Sequence, residues 1–361
     1  MNVLSLFDGM SCGQQALERV GIKVDNYFAS EIDKYAITVT MANYPNTKQL
    51  GSVTQVDGYS LPKIDILIGG SPCQSFSFAG KRKGMSTKDE QEILTLEHYL
   101  ELKSQEYEFE GQSYLFWEYM RLLNEIKPKY FLLENVMMGE KWEKILSKAI
   151  GVNPIMINSS LVSAQNRQRL YWTNIGMKPS GLFGDLESTI EQPKDIGILL
   201  KDILEDEVDD KYFINVETNK RLRELFYNNQ VEDGQLLDSY NQTIHTDKSI
   251  TISTRVSSSN CTHIVHNMQK RSADRPSVQK DKNACGSGHL QREDGKTYCL
   301  DRGNTQAIEY HKKIRKLTPT ECERLQTVKD GYTAHVSDSQ RYKMLGNGWT
   351  VDVIAHIFKY L

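Results

Sequence analysis

Ile64-Asp65-Ile66-Leu67-Ile68-Gly69-Gly70-Ser71-Pro72-Cys73-Gln74-Ser75-Phe76-Ser77 joins a short apolar run to a turn that carries a single thiol. An isoleucine- and leucine-rich run closed by glycine and proline reads as a fully buried strand. A strand ending this way delivers its cysteine to the carboxyl edge of a parallel sheet, where open α/β folds bind ligands. Most free cysteines are small buried hydrophobes. Here Pro72 and the glycines fix a tight backbone, while Gln74, Ser75 and Ser77 surround the thiol with polar groups. Lys81, Arg82 and Lys83 bring positive charge that favours the thiolate. Cys73 therefore reads as a nucleophile.

Working outward, residues 1–176 alternate short apolar runs with helical spacing. Strands are expected at 3–6, 27–30, 64–68, 130–133 and 155–157, with helices at 14–20, 34–43, 117–126 and 142–150. That is the pattern of βαβ units and a parallel sheet, an α/β fold. Glu31, Cys73 and Glu134 then fall at or near strand ends, along one edge. The turn Phe7-Asp8-Gly9-Met10-Ser11-Cys12-Gly13 follows the first strand and opens a helix, so its backbone N–H groups can approach a ligand. Such a turn is as often a packing device, but Glu31 at the end of the next strand can accept from ribose hydroxyls, which favours a nucleoside-type cofactor.

Glu134 closes an apolar strand and could donate or relay a proton; a strand-end salt bridge is the bland alternative. Arg167 and Arg169, in Gln165-Asn166-Arg167-Gln168-Arg169-Leu170, are expected to alternate on one strand face, where they could bind an acid or a phosphate.

The chain has 361 residues, long enough for a large α/β domain and a smaller lobe. Its net charge of -3 hides an uneven distribution. Residues 181–239 hold 6 basic and 15 acidic side chains, whereas residues 255–316 hold 13 and 6, so a local polyanion-binding face is expected there. At its amino-terminal edge Ser253, Thr254 and Arg255 are candidates for ligand contacts. A charged segment at 85–113, with eight acids between Asp89 and Glu110, reads as a helical insertion. Six cysteines spread over this length suggest reduced thiols, and the spacing of Cys261, His263, His266, Cys285, His289 and Cys299 fits no standard zinc knuckle, so no metal is expected. No apolar run reaches membrane-spanning length and the start lacks a signal-peptide pattern, so no membrane association and an intracellular, cytoplasmic location are expected.

These blocks, in this order, resemble those of the DNA (cytosine-5) methyltransferases. The resemblance covers nearly all of residues 1–176 and 313–361, while the middle diverges. The wording around Leu6-Phe7-Asp8-Gly9, Ala29-Ser30-Glu31 and Gly69–Cys73 is similar to the animal de novo branch; Gln74 and the 165–169 block are closer to bacterial and phage enzymes. The resemblance implies an S-adenosylmethionine-dependent methyltransferase (Rossmann-like) domain, 1–176 plus 313–361, and a smaller, mostly β or irregular target-recognition domain, 177–312. It implies that Phe7, Gly9, Met10 and Gly13 line S-adenosylmethionine, that Glu31 holds its ribose and that Ile32 packs on its adenine. Ser52, Val53, Leu115, Asn347 and Trp349 would complete the pocket. Cys73 would be the nucleophile, Glu134 the base-recognising acid, Arg167 its partner and Arg169 a further contact. The residues 315–326 would form a helix supporting the recognition lobe. Double-stranded DNA is the implied substrate of a monomer acting in a bacterial host or phage-infected cell, and a cognate restriction endonuclease is a candidate partner. At Ser52 the family usually carries Asp, so one acceptor for the adenine amino group is missing. Three alternatives stay open: an RNA cytosine-5 methyltransferase, a catalytically silent DNA-binding module, and a dinucleotide oxidoreductase, although the last would want a GxGxxG turn that residues 9–13 lack.

Overall fold

The computed structural model describes residues 1–72, 85–180, 185–213 and 313–361, with strand segments at 236–238, 243–245, 297–298 and 307–310. Cys73, Gln74, Ser75, Ser77, Lys81, Arg82, Lys83, Ser253, Thr254 and Arg255 lie outside the described residues, as do the Cys and His residues between 261 and 299. Two compact units are formed, one by residues 1–158, 168–193 and 351–361, the other by residues 159–167 and 194–350. Residues 313–350, grouped with the catalytic domain by their motifs, cluster by contacts with the second unit.

The first unit is built on a seven-stranded sheet. Its strands are β1 (Asn2–Leu6), β2 (Asn26–Ser30), β3 (Lys48–Gln49), β4 (Ile66–Gly70), β5 (Tyr130–Val136), β6 (Ile155–Asn158) and β8 (Gln168–Thr173); the short β7 (Gln165–Asn166) belongs to the second unit. The spatial order is β3-β2-β1-β4-β5-β8-β6. From β3 to β5 all pairings are parallel, and β8 runs antiparallel to both β5 and β6. This departs from an all-parallel expectation for a physical reason: only residues 159–167 separate β6 from β8, too few for a parallel crossover. The chain proceeds from β1 outward to β2 and β3, then returns to β4 on the other side of β1. The carboxyl ends of β1 and β4 thus flank the topological switch point.

Helices α1 (Cys12–Arg19), α2 (Lys34–Asn43), α4 (Phe116–Ile126) and α5 (Glu140–Ile150) sit within two residues of their expected positions, and α3 (Leu96–Ser104) lies in the insertion. Their ends follow local chemistry. Asp33 caps α2 by accepting from Tyr35 N at 2.9 Å, and Gly151 closes α5 at φ +85°. The core between β1, β4, β5 and these helices includes Leu4, Leu67, Leu133, Trp117 and Tyr119, all essentially inaccessible.

The insertion is more than a helix. Bridges Ser86–Glu92 and Thr87–Phe109 frame α3, and Met85, Ile93, Tyr99 and Leu102 are buried in the main core. Seven of its eight acids face solvent, Glu110 being half-buried. Acidity and core packing therefore occupy opposite sides of one compact element.

In the second unit the late block is a strand, Lys313–Lys316, followed by a short helix, rather than the single helix expected over 315–326, because Pro319 fixes where the helix starts. Thr318 and Glu321 form a reciprocal capping box, Pro319 takes the first helical position, and the helix Pro319–Leu325 follows. The fully buried Arg315 guanidinium makes a bidentate pair with Glu321 at 2.7 and 2.8 Å. This unit also holds the antiparallel pairs Ala307–Tyr310 with Lys313–Lys316 and Leu236–Asp238 with Thr243–His245, the helix Asp338–Asn347, and the β7 pairing with Thr297–Tyr298.

Candidate active site

β1 ends in a turn with three left-handed residues, Phe7, Gly9 and Ser11, at φ of +56°, +58° and +58°. For Phe7 and Ser11 this conformation is unfavourable and must be held by neighbours. Asp8 does much of the holding. Its N–H donates to Ser30 O at 3.2 Å, its carbonyl accepts from Ser11 N at 3.0 Å, and its carboxylate accepts from Tyr27 OH at 2.8 Å and from Ser11 Oγ. Gly9 N donates to Glu31 Oε2 at 2.8 Å, and nothing stands within 4 Å of where a Cβ on Gly9 would be. The turn is thus an open backbone cradle tied directly to the acid at the end of β2.

Burial pushes the Asp8 carboxyl up to about 6, against hydrogen bonds from Ser11, Ser5 and Tyr27 that pull it down, and nearby Glu31 adds to the rise. The folded protein therefore holds this proton more tightly than the unfolded chain does. Its contribution favours the fold below pH ~4 and is lost as pH rises through about 6, by at most ~3 kcal/mol. Asp8→Asn should consequently gain thermal stability relative to the parent between pH ~4.5 and ~7.5. A melting-temperature difference that stays constant over that interval would exclude burial of the charge as the cause.

Glu31 Oε1 accepts from Ile32 N and Asp33 N at 2.7 and 2.8 Å, while Oε2 carries the Gly9 bond. A carboxylate offers about four acceptor sites, so capacity remains on Oε2 for a hydroxyl. Ile32 follows it with 70% of its surface exposed, an apolar platform beside a polar anchor. The next loop is drawn in by Ser30 Oγ, which donates to Gly51 O at 2.8 Å. There Ser52 caps the turn Val53–Gln55, its hydroxyl 2.8 Å from Thr54 Oγ1.

Other expected pocket residues are placed differently. Met10 and Val53 are buried, and Leu115 ends the turn Ser113–Leu115 that leads into α4. Gly13 is a packing glycine: a Cβ there would stand 2.4 Å from Ile68 Cδ1 and 2.9 Å from Tyr27 Oη. Asn347 and Trp349 belong to the second unit.

The second cluster forms where β4 and β5 end. Gly70 is the register partner of Glu134, so the chain leaves β4 toward Ser71 and Pro72 beside that carboxyl. Asn135, buried, donates from Nδ2 to Ser71 Oγ at 3.0 Å and Ser71 O at 3.3 Å, fixing the chain where it leaves β4. Val136 pairs with Arg169 and Glu134 with Tyr171, which puts Glu134 and Arg169 diagonally on one face. Arg169 Nε lies 3.0 Å from Glu134 Oε1.

The two arginines do not share one strand, contrary to the alternation expected from their spacing. Arg169 lies in β8, whereas Arg167 sits between β7 and β8 because each short strand pairs with a different partner. Arg167 is 3% exposed and donates to the carbonyls of Gly346 at 3.3 Å and Gly348 at 2.8 Å. It binds the block 165–167 to the block 346–349 inside the second unit. Asp8 and Asn135 were not assigned roles from sequence; their signal is a polar residue directly after a buried apolar strand, but their partners are remote in the chain. Among the described residues no group of three His, Cys, Asp or Glu side chains is arranged to hold a metal.

The profile of the C-5 cytosine-specific DNA methylases matches residues 1–361. This chain belongs to that family. The methyltransferase is 28% identical over its full length to the orphan methyltransferase M.SPRI of Bacillus phage SPR, covering 97% of that protein. It is 26% identical to the type II methyltransferase M.HgiCI of Herpetosiphon aurantiacus, over 96% of this chain and 93% of that one. The fold is also that of a DNMT2 triple mutant from Spodoptera frugiperda, at TM-score 0.58 and 17% identity over 99% and 98% of the two chains. The enzyme is a DNA (cytosine-5) methyltransferase that uses S-adenosylmethionine as methyl donor. The cradle suits that donor: open backbone at Gly9, residual acceptor capacity on Glu31 and the exposed apolar face of Ile32 match an adenosine with a polar tail. No helix among the described residues is long and apolar enough to cross a membrane.

Ser52 stands where the resemblance leads one to expect Asp. Asp caps a helical turn as well as Ser does, so Ser52→Asp keeps the turn and adds an acceptor for the adenine amino group. Cofactor affinity should rise by ~1–3 kcal/mol. Calorimetry that gives an unchanged or weaker dissociation constant would refute this assignment.

Proposed function

We propose that this methyltransferase acts on a flipped-out cytosine through a covalent bond from Cys73 to C6, with Glu134 as the base-recognising acid. The observation that supports this reading is the Gly70–Glu134 register with the Asn135–Ser71 hydrogen bonds, which hold Ser71, two residues before Cys73 in sequence, and the carboxyl at one sheet edge. Extruding the base from the duplex costs a few kcal/mol, offset by protein contacts. The Cys73 thiolate then adds to C6, and Glu134, hydrogen-bonding at N3 and the exocyclic amine, stabilises the electron-rich ring. Bound S-adenosylmethionine supplies the electrophilic methyl group that C5 takes up. Loss of the C5 proton and expulsion of Cys73 regenerate the free thiolate and leave 5-methylcytosine. Arg169 orients Glu134, Asn135 anchors the Cys73 turn, and the Phe7–Gly13 turn with Glu31, Ile32, Ser52, Val53 and Leu115 holds the donor. Asn347 and Trp349 lie in the block whose carbonyls Arg167 holds inside the second unit.

The motif-defined domain 1–176 plus 313–361 performs catalysis in this reading, and residues 177–312 recognise the target. Lys81, Arg82 and Lys83 with Gln74, Ser75 and Ser77 contact the DNA near the extruded base, and Ser253, Thr254 and Arg255 reach base edges. The substrate is double-stranded DNA, the enzyme acts as a monomer, and its place is the cytoplasm of a bacterial host or phage-infected cell. Its candidate partner is a cognate restriction endonuclease. The test is a duplex containing 5-fluorocytosine together with S-adenosylmethionine: fluorine blocks the final loss at C5, so the adduct should accumulate and peptide mapping should find it on Cys73. A duplex that is methylated at unsubstituted sites yet never trapped, or trapped on another residue, would overturn the assignment.

A further inference from the structure

The insertion 85–113 ends at a buried carboxylate. Glu118 of α4 has a side chain with no exposed surface, and its Oε1 accepts from Tyr99 OH at 2.5 Å and from Lys103 Nζ at 2.5 Å, both contributed by α3 of the insertion. Its Oε2 accepts from Arg121 Nε at 2.8 Å. A fully buried carboxylate is costly unless each oxygen is paired, so the donors from α3 are required partners. Burial, then the hydrogen bond and charge of Glu118, pushes the Tyr99 phenol far up, which keeps it a donor at any working pH.

Arg121 carries the connection onward. Its Nη1 pairs with Glu125 at 2.8 Å, and its Nη2 donates to Val53 O at 3.1 Å and Val56 O at 2.9 Å. Glu125 Oε2 accepts from Gly58 N at 3.0 Å. The guanidinium thus grips both ends of the turn that Ser52 caps. One continuous buried chain of hydrogen bonds runs from α3 of the insertion, through Glu118 and Arg121, to the loop that follows β3.

We propose that the insertion is a brace for the cofactor pocket, with Tyr99 and Lys103 as positioning residues that fix the Ser52–Val53 loop through Glu118 and Arg121. This rests on the assignment of Ser52 and Val53 to the S-adenosylmethionine pocket. Without its α3 donors, Glu118 must draw on Arg121 or take up a proton, and either change loosens the grip on the Val53 and Val56 carbonyls.

The test uses the full-length enzyme with Lys103→Met, Tyr99→Phe and the double variant. The control is Lys88→Met, which breaks an exposed pair with Glu108 elsewhere in the insertion. The double variant should raise KM for S-adenosylmethionine about tenfold, with kcat at saturating cofactor and KM for DNA within about twofold of the parent. Lys103→Arg should restore the parental KM for the cofactor. An unchanged cofactor KM in the folded double or single variants would overturn the brace. So would a parallel rise in both KM values, or the same rise in Lys88→Met. A parent enzyme that fails to bind S-adenosylmethionine would instead defeat the functional reading itself.

Discussion

Cys73→Ser is expected to abolish methyl transfer, by about 10⁴-fold or more, while leaving affinity for duplex DNA within about threefold. The size of the effect follows from acidity and polarisability. A cysteine thiol is far more acidic than a serine hydroxyl, and Lys81, Arg82 and Lys83 follow Cys73 closely in sequence. Addition to C6 is also the step that turns C5 into a nucleophile, so its loss cannot be bypassed by better positioning of the donor. DNA affinity, by contrast, comes mainly from phosphate contacts made by basic side chains, which the substitution leaves in place. Transfer of a radiolabelled methyl group, read beside a gel-shift titration, separates the two quantities. Transfer within tenfold of the parent would remove Cys73 from the chemistry; a matching collapse in DNA binding would give it a structural role.

The parts of this fold that were legible in the sequence are those whose burial is symmetric. β1, β2, β4 and β5 are covered on both faces, so each is a near-continuous apolar run, and the polar residue that ends it, Glu31 or Glu134, stands out. β8 did not announce its direction, because Gln168-Arg169-Leu170-Tyr171-Trp172-Thr173 mixes apolar and charged residues, and strand polarity is set by the connection length rather than by periodicity. The insertion was misleading for a related reason. Met85, Ile93, Tyr99 and Leu102 reach the core from irregular spacings diluted by exposed acids, so the segment resembles a solvated helix until its bridges are seen. Asp8, Asn135 and Glu118 are polar residues whose bonds to Tyr27, Ser71 and Tyr99 reach 19 to 64 residues along the chain. Local pattern carries no information about such pairings.

Glu134→Gln should lower kcat by about 10²–10⁴-fold with KM for S-adenosylmethionine nearly unchanged. The geometry explains why an isosteric swap is so damaging. Glu134 is 8% exposed and faces Arg169 across the β5–β8 register, so its charge is compensated and its carboxyl aimed by a strand rather than by a loop. The amide retains the shape and can still accept from the exocyclic amine, but it has no acidic proton to give N3 as electron density builds in the ring. It also leaves the Arg169 guanidinium facing a neutral neighbour. Arg169→Ala removes the same orientation from the other side, and because it acts through Glu134 its loss should be smaller, about 10–10²-fold in kcat. The two effects should be strongly non-additive: once the carboxylate is gone, deleting its partner has little left to disturb. Steady-state kinetics on both single variants and the double variant test this directly. Additive losses would mean that Arg169 has an independent contact with substrate, and a Glu134→Gln enzyme within tenfold of the parent would move recognition of the base to another group.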